Sequence, residues 1–329
     1  MNRTFLRFLV VSIGVGVTAW LISAASLTAV VQSLSKLGWG IAAVVLVRGM
    51  MIVINAAAWW RLLAGLAKVS FVVFALLRWI RDAIDVLLPV ASVGGGLAAA
   101  RLLTFWRVPG PTAFAGLVVD VFLQTAAQAI FAITGLVLLA HLTGLSNASP
   151  RLVLGLSAAV TVLGGFYLVH RYGAGRLLDR ALQRLSGLTV PNDRWSQPGF
   201  QAAIDGIWQH RHRYLAAALS IHTLAWTVGT LEVWLTLRFM GWPLSLEQSV
   251  IMESLGASIS SAAFLIPGSW GVQEGGYILV GQLLGVPTPL ALGLSLTKRV
   301  PDLVLGAPGL IAWRAVEAQH LRSPKSKAN

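Results

Sequence analysis

Long apolar runs recur along the whole sequence, separated by short polar and basic segments. Each run holds roughly 20 residues, and a helix of that length crosses a hydrocarbon core about 30 Å thick. The pattern therefore predicts an all-α polytopic membrane protein with about six full spans. The predicted spans are Phe5 to Ala25, Leu37 to Trp59, Pro111 to His141, Arg151 to His170, Tyr214 to Met240 and Leu290 to Trp313.

Two further apolar stretches, Trp79 to Leu103 and Glu247 to Leu284, are each interrupted by proline and glycine. The interruptions read LLPVASVGGG and LIPGSWGVQEGG. Proline removes a backbone donor and glycine lets the chain turn, so each stretch predicts a broken re-entrant hairpin of two helices. The alternative is two ordinary spans with kinks. The predicted turn residues are Pro89, Gly94, Gly95, Gly96, Pro267, Gly268, Gly271, Gly275 and Gly276.

Charge predicts how these segments are oriented. The chain carries 25 Lys and Arg against 12 Asp and Glu. Because basic residues accumulate in cytoplasmic loops, the segment Arg171 to Arg213, with seven Arg and three Asp, is predicted to lie in the cytoplasm. Both termini are then also cytoplasmic, and each broken stretch enters and leaves the membrane on one side.

Two units with the same order of span, broken hairpin and span follow from this topology, and they have opposite orientations. Such an inverted repeat, with interrupted segments at matching positions, is typical of a transporter's central site. We interpret residues 1–329 as one integral membrane domain. Its parts are a leading span (1–36), a first repeat (37–141, hairpin 79–103), an extra span (142–170), a basic cytoplasmic interfacial segment (171–213) and a second repeat (214–329, hairpin 247–284).

Amphipathic helices are predicted where apolar residues recur at helical spacing between charges. RLLDRALQRL and GFQAAIDGIW, both in the basic segment, have this pattern and are expected to lie on the membrane surface. Trp60 to Leu77 is expected to do likewise after the second predicted span.

The amino-acid composition excludes several kinds of catalytic and metal site. The sequence has no Cys, which excludes thiol nucleophiles and thiolate metal sites, and no GxxxxGK[ST] motif for ATP. His210 and His212 flank Arg211 in a basic segment, which favours a surface position over a metal site. Basic residues spread between apolar spans favour lipid headgroups over nucleic acid as partners. We therefore expect no metal, no cofactor and no nucleic acid.

Charged residues within apolar segments are costly unless they are paired or hydrated, and they are functional candidates for that reason. Here they cluster near the two breaks and on the spans that follow. Arg81 and Asp85 are four residues apart, as are Lys298 and Asp302, so each pair shares a helical face. The predicted groove residues are Arg81, Asp85, Arg101, Asp120, Glu253, Gln273, Glu274, Arg299 and Asp302.

Arg101 and Arg299 have the planar donor fork that binds a phosphate or a hydroxylated headgroup, and helix starts beside the glycine turns would add backbone donors. Glu274 would supply an acceptor or a proton site. The alternative is structural, because the same charges could form buried polar seams between helices.

The second block, ESLGASISSAAFLIPGSWGVQEGG, together with Arg81, Arg101 and Asp120, resembles the membrane region of the lysylphosphatidylglycerol synthase and flippase-like superfamily. It is most similar to the branch of hopanoid-biosynthesis-associated membrane proteins called HpnL. The resemblance implies a bacterial inner-membrane protein that moves an amphiphilic lipid between leaflets, with hopanoid metabolism as the context. It also implies membrane lipids as partners.

Three functions remain open. The first is a lipid translocator, in which the charges hydrate a groove for a headgroup. The second is an integral-membrane enzyme that modifies a lipid headgroup, with Asp120 and Glu274 as general acid and base. The third is a scaffold for lipid-biosynthesis enzymes. Relatives that aminoacylate lipids carry a soluble transferase domain that this sequence lacks, so we expect no synthase activity.

Overall fold

The computed structural model describes residues 27–88, 94–144, 197–262 and 269–322. The predicted spans Phe5 to Ala25 and Arg151 to His170, most of the basic segment, and Pro89, Pro267 and Gly268 lie outside these ranges. The described helices are α1 (Leu27–Ser35), α2 (Gly40–Leu62), α3 (Phe71–Leu87), α4 (Gly94–Leu103), α5 (Gly110–Thr143), α6 (Gln197–His210), α7 (His212–Phe239), α8 (Leu246–Ala262), α9 (Val272–Leu283) and α10 (Thr288–Arg322).

Three of the described helices, α2, α5 and α7, are long and apolar enough to cross a membrane. Helix α10 has 35 residues but is not among them, because Lys298, Arg299 and Asp302 interrupt its apolar run. The span predicted at Leu290 to Trp313 lies within this helix. With helices and no named strand in the described ranges, the chain is an all-α membrane protein.

Both interrupted stretches contain two helices. Helix α3 ends at Leu87 and α4 begins at Gly94, while α8 ends at Ala262 and α9 begins at Val272. The two helices of each pair pack against each other. Gly271, just before α9, has a φ of 81°, a left-handed conformation that glycine adopts without steric cost. We call these units the first helix pair (α3 and α4) and the second helix pair (α8 and α9).

The expectation of a surface helix over Trp60 to Leu77 is wrong. Helix α2 continues to Leu62, and the chain then turns before α3 begins at Phe71. Phe74 and Leu77 are fully buried, because the apolar face of α3 packs against α2 and α10 rather than on lipid. Helix α6, which carries the GFQAAIDGIW pattern, packs on α5 through Ile204 and Ile207.

The first and second halves of the chain exchange contacts. Helix α2 runs along α7, α3 packs on α10, and α8 packs on α5. The two larger apolar clusters among the described residues lie around Trp59, Phe74 and Leu103 and around Leu237 and Tyr277.

Candidate functional site

A cavity of about 300 Å³ lies between helices of both halves and is lined by side chains from α2, α3, α5, α7, α8, α9 and α10. This volume is at the lower end of the range for ligand sites, so it suits a headgroup better than a whole lipid. Three cations and four carboxylates are among its lining residues. The polar and charged lining residues are Arg48, Asn55, Arg78, Asp82, Asp85, Gln124, Glu253, Ser260, Ser261, Gln273, Tyr277, Lys298 and Asp302.

A first polar network joins α2, α3, α5 and α7. Arg81 donates to Asp120 Oδ2 at 2.9 Å, and the other oxygen of Asp120 lies 3.1 Å from His222 Nε2. His222 Nδ1 lies 2.8 Å from Asn55 Oδ1, and Gln124 Oε1 accepts from Arg81 at 3.4 Å. Asp120 and His222 are both fully buried. Each buried charge therefore has a partner, as such groups require.

A second polar network joins α2, α7, α8, α9 and α10. Lys298 Nζ lies 2.6 Å from Glu232 and 2.9 Å from Glu253. Glu232 also pairs with Arg48 at 2.9 Å, and Tyr277 donates its hydroxyl to Glu253 at 2.9 Å. Lys298 and both glutamates are buried, so this pair of carboxylates depends on the cation between them.

One backbone donor at the start of each second helix is bonded to a carboxylate of the protein. Gly95 N–H donates to Asp85 at 2.8 Å, and Gly271 N–H donates to Glu274 at 2.7 Å. Glu274 also pairs with Arg299 at 2.7 Å. These two donors and Arg299 therefore bind carboxylates of the protein, which differs from the expectation that they bind a phosphate or a hydroxylated headgroup.

Four of the predicted groove residues line the cavity, namely Asp85, Glu253, Gln273 and Asp302. Four others lie outside the cavity lining: Arg81 and Asp120 in the first polar network, and Glu274 and Arg299 at the second break.

Arg101 lies away from the cavity. Its side chain is 53% exposed, and it pairs with Glu317 at 2.6 Å and lies over the Phe105 ring. Helix α4 explains this position, because seven residues of helix separate Arg101 from the break at Gly94 and place it roughly 10 Å further along the axis.

The turn glycines differ in their surroundings. A Cβ on Gly95 would meet the backbone carbonyl of Arg81, and one on Gly276 would meet Ile259 at 2.9 Å. Gly96 is buried beside Leu117, and Gly94 is the first residue of α4. Gly275 has no neighbour within 4 Å of such a Cβ. Close packing therefore explains Gly95 and Gly276, and Gly271 is explained by its backbone conformation.

Sequence reasoning missed several members of the two networks. The expected Lys298–Asp302 pair does not form, because Lys298 lies between Glu232 and Glu253. His222 is the sole histidine of its predicted span, and its ring nitrogens contact Asn55 and Asp120 on two other helices. Arg48 and Glu232 could have been identified as candidates from the sequence, since each is an ionisable residue inside a predicted span.

No cluster of three or more His, Asp or Glu that could hold a metal ion occurs in the part of the chain that the structure describes.

Comparison with known families places these observations in context. Residues 5–309 match the family described as the lysylphosphatidylglycerol synthase TM region, so the chain belongs to that family. No curated protein and no solved structure matches the chain. Membership indicates a lipid-related function in a membrane.

Proposed function

We propose that this protein is a flippase-like translocator that moves an amphiphilic lipid between leaflets. The observation that carries the proposal is the cavity: both helix pairs and both halves of the chain contribute charged and polar side chains to its wall. In this mechanism the headgroup passes through the cavity while the hydrocarbon chains stay in lipid. The cavity thereby replaces the headgroup's hydration, whose loss in hydrocarbon costs several kcal/mol per unpaired polar group.

An inverted repeat of spans and re-entrant hairpins forms part of the proposal. The exchanged contacts support it, since α3 packs on α10 and α8 packs on α5. The charges support it as well. In the first polar network Arg81 of the first helix pair binds Asp120 of the following long helix, and in the second Glu253 of the second helix pair binds Lys298 of the following long helix. The two halves thus use equivalent contacts with reversed charge.

The ion pairs suit a passage more than a fixed binding site. A buried pair seldom adds net stability over apolar packing, but breaking one leaves a costly unpaired charge. A headgroup that bonds to Lys298 or Glu253 would lower the cost of separating them, and the helices on either side could then move relative to each other. Opening on one side of the membrane and then on the other would follow from exchange of such contacts.

The cellular context is proposed from the family and the charge pattern. A bacterial inner membrane, cytoplasmic termini and a link to hopanoid metabolism agree with the block from Glu253 to Gly276 and with the basic segment Arg171 to Arg213. Membrane lipids are the proposed partners. A link with lipid-biosynthesis enzymes would follow if they supply the lipid.

Translocation is preferred to headgroup chemistry because of where the acid and base candidates lie. Asp120 and Glu274 are fully buried, each is engaged by an arginine, and neither lines the cavity. A general acid or base must reach within hydrogen-bonding distance of the reacting group.

Reconstituted vesicles test the proposal. Vesicles with the protein and vesicles without it would carry a trace of fluorescent lipid, and an impermeant reductant would then quench the outer leaflet. The proposal predicts that quenching proceeds past half only in the vesicles with protein. A new lipid species found by mass spectrometry, with no exchange between leaflets, would favour the enzyme instead.

A further inference from the structure

Three side chains on the cavity wall keep a donor or an acceptor that no hydrogen bond within the described ranges uses. The Gln124 side chain accepts from Arg78 and Arg81 through Oε1, which leaves its Nε2 donors free. Gln273 donates to Ser295 through Nε2, which leaves its Oε1 acceptor free. The Asp302 carboxylate forms none of the ion pairs found in the described ranges. These three side chains therefore offer the cavity a free donor group and two free acceptor groups.

The cations of the wall are engaged. Arg78 pairs with Asp82 at 3.0 Å, Arg48 with Glu232, and Lys298 with two glutamates. With three cations and four carboxylates on the wall, the lining has a formal surplus of one negative charge. A phosphate monoester would have to displace a carboxylate and would meet this surplus.

Hydrogen-bond chemistry discriminates between headgroups. The oxygens of a fully ionised phosphate only accept, so they would satisfy Gln124 but not Gln273 or Asp302. An ammonium group only donates, so it would satisfy the two acceptors and leave the Gln124 donors unpaired. A hydroxyl both donates and accepts, and several hydroxyls on one headgroup can satisfy all three groups.

The aromatic and hydroxyl residues of the wall agree with this chemistry. Trp79 and Trp226 line the cavity with their indole N–H groups already bonded to Leu305 and Gln124 carbonyls, at 2.7 and 3.4 Å. Their rings therefore add apolar surface, which suits the C–H faces of a sugar or polyol. Ser260 donates to the Gly256 carbonyl, and its hydroxyl oxygen can still accept.

We propose that the cavity takes an uncharged, hydroxyl-rich headgroup, such as a sugar or linear polyol, in preference to a phosphate or an ammonium group. The proposal rests on the proposed function, because it names the lipid class that the same cavity would carry.

The experiment is lipid retention in nanodiscs that contain three lipids with the same acyl chains in equal amounts. The probes are a monoglucosyl diacylglycerol, phosphatidic acid and a lipid with a primary ammonium headgroup. Native mass spectrometry of the purified protein would measure the bound ratio. We expect the glucosyl lipid to be retained about tenfold over each of the other two, as expected for one or two hydrogen bonds.

Two variants and a control make the test specific. Asp302→Asn replaces one free acceptor oxygen by a donor and removes a negative charge, so it should raise retention of phosphatidic acid about tenfold, whereas the hydroxyls of the glucosyl lipid can bond to either group. Gln124→Glu keeps the acceptor for the arginines but removes the free donors, so it should shift retention towards the ammonium lipid. Asp205→Asn is the control, because it makes the same substitution on the exposed face of α6, outside the cavity lining. It should leave the retention of all three lipids unchanged.

Each cavity variant is expected to bind more of one lipid. This gain distinguishes a change in selectivity from misfolding, since a misfolded variant would lose all three lipids. Equal retention of the three probes, or preference for phosphatidic acid or the ammonium lipid, would overturn the inference. Leaflet exchange of phosphatidic acid alone would overturn it and leave the proposed function intact. Selective retention of the glucosyl lipid without leaflet exchange would support the inference and overturn the proposed function.

Discussion

Lys298 pairs with two buried carboxylates, and its replacement should destabilise the fold. It lies 2.6 Å from Glu232 and 2.9 Å from Glu253, and the three side chains are 8%, 0% and 3% exposed. Lys298→Met keeps a long unbranched side chain but removes the charge that these two carboxylates share. Arg48 still pairs with Glu232, which leaves Glu253 without a cation.

The expected cost follows from burial. Removing one partner of a buried ion pair costs about 3–5 kcal/mol, because the remaining charge has lost its hydration and its counterion. Solvent screening reduces this little at exposures below a tenth. We therefore expect Lys298→Met to lower the free energy of unfolding by about 3–5 kcal/mol, roughly a factor of 150 to several thousand in the folded-to-unfolded ratio.

A double-mutant cycle checks the reasoning. Adding Glu253→Gln to Lys298→Met removes the orphaned charge while retaining a group that can accept the Tyr277 hydroxyl. The double variant should regain about 2–3 kcal/mol relative to Lys298→Met alone. Unfolding in mixed micelles, followed by circular dichroism against denaturing detergent, would measure all four proteins. A loss below about 1 kcal/mol for Lys298→Met, or additive losses in the double variant, would refute the assigned pairing.

Two further predictions concern a turn glycine and an exposed pair. Gly95→Ala should destabilise the protein by roughly 1–3 kcal/mol in the same assay, because its Cβ would meet the Arg81 carbonyl. Gly275→Ala is the control: its Cβ would enter open space, so the change should be neutral or slightly stabilising. Equal effects of the two substitutions would contradict the packing of the first helix pair. Arg101→Ala should lower the free energy of unfolding by at most about 1 kcal/mol and leave lipid exchange unchanged, since its pair with Glu317 is solvent-exposed. Loss of lipid exchange in a folded variant would show instead that Arg101 acts in the translocation groove.

The helices could be predicted because their signals are local. A run of about 20 apolar residues, or a proline and glycines within such a run, is visible without knowledge of the rest of the chain. The ends of α2, α5 and α7 therefore fall within a few residues of the predicted spans. The two breaks also interrupt helices where the sequence indicated.

The partners of the buried charges could not be predicted from local spacing. Arg48 and Glu232 are 184 residues apart, and His222 and Asp120 are 102 apart, so only the packing of α2 and α5 on α7 brings them together. Helical spacing did suggest a Lys298–Asp302 pair. Lys298 nevertheless pairs with Glu232 and Glu253 from two other helices. These buried glutamates are the stronger partners, because no water is available to replace the cation.

The central claim is that a lipid headgroup crosses the membrane through the cavity. Ala257 lines this cavity, whereas Leu279 is 56% exposed on the outer face of α9. The most direct test is the rate of leaflet exchange in vesicles with Ala257→Trp, which fills the cavity with an indole ring, compared with Leu279→Trp as the matched control. The account predicts that Ala257→Trp lowers the rate at least tenfold while the control keeps the parent rate. Equal rates in the two folded variants would contradict the cavity as the route.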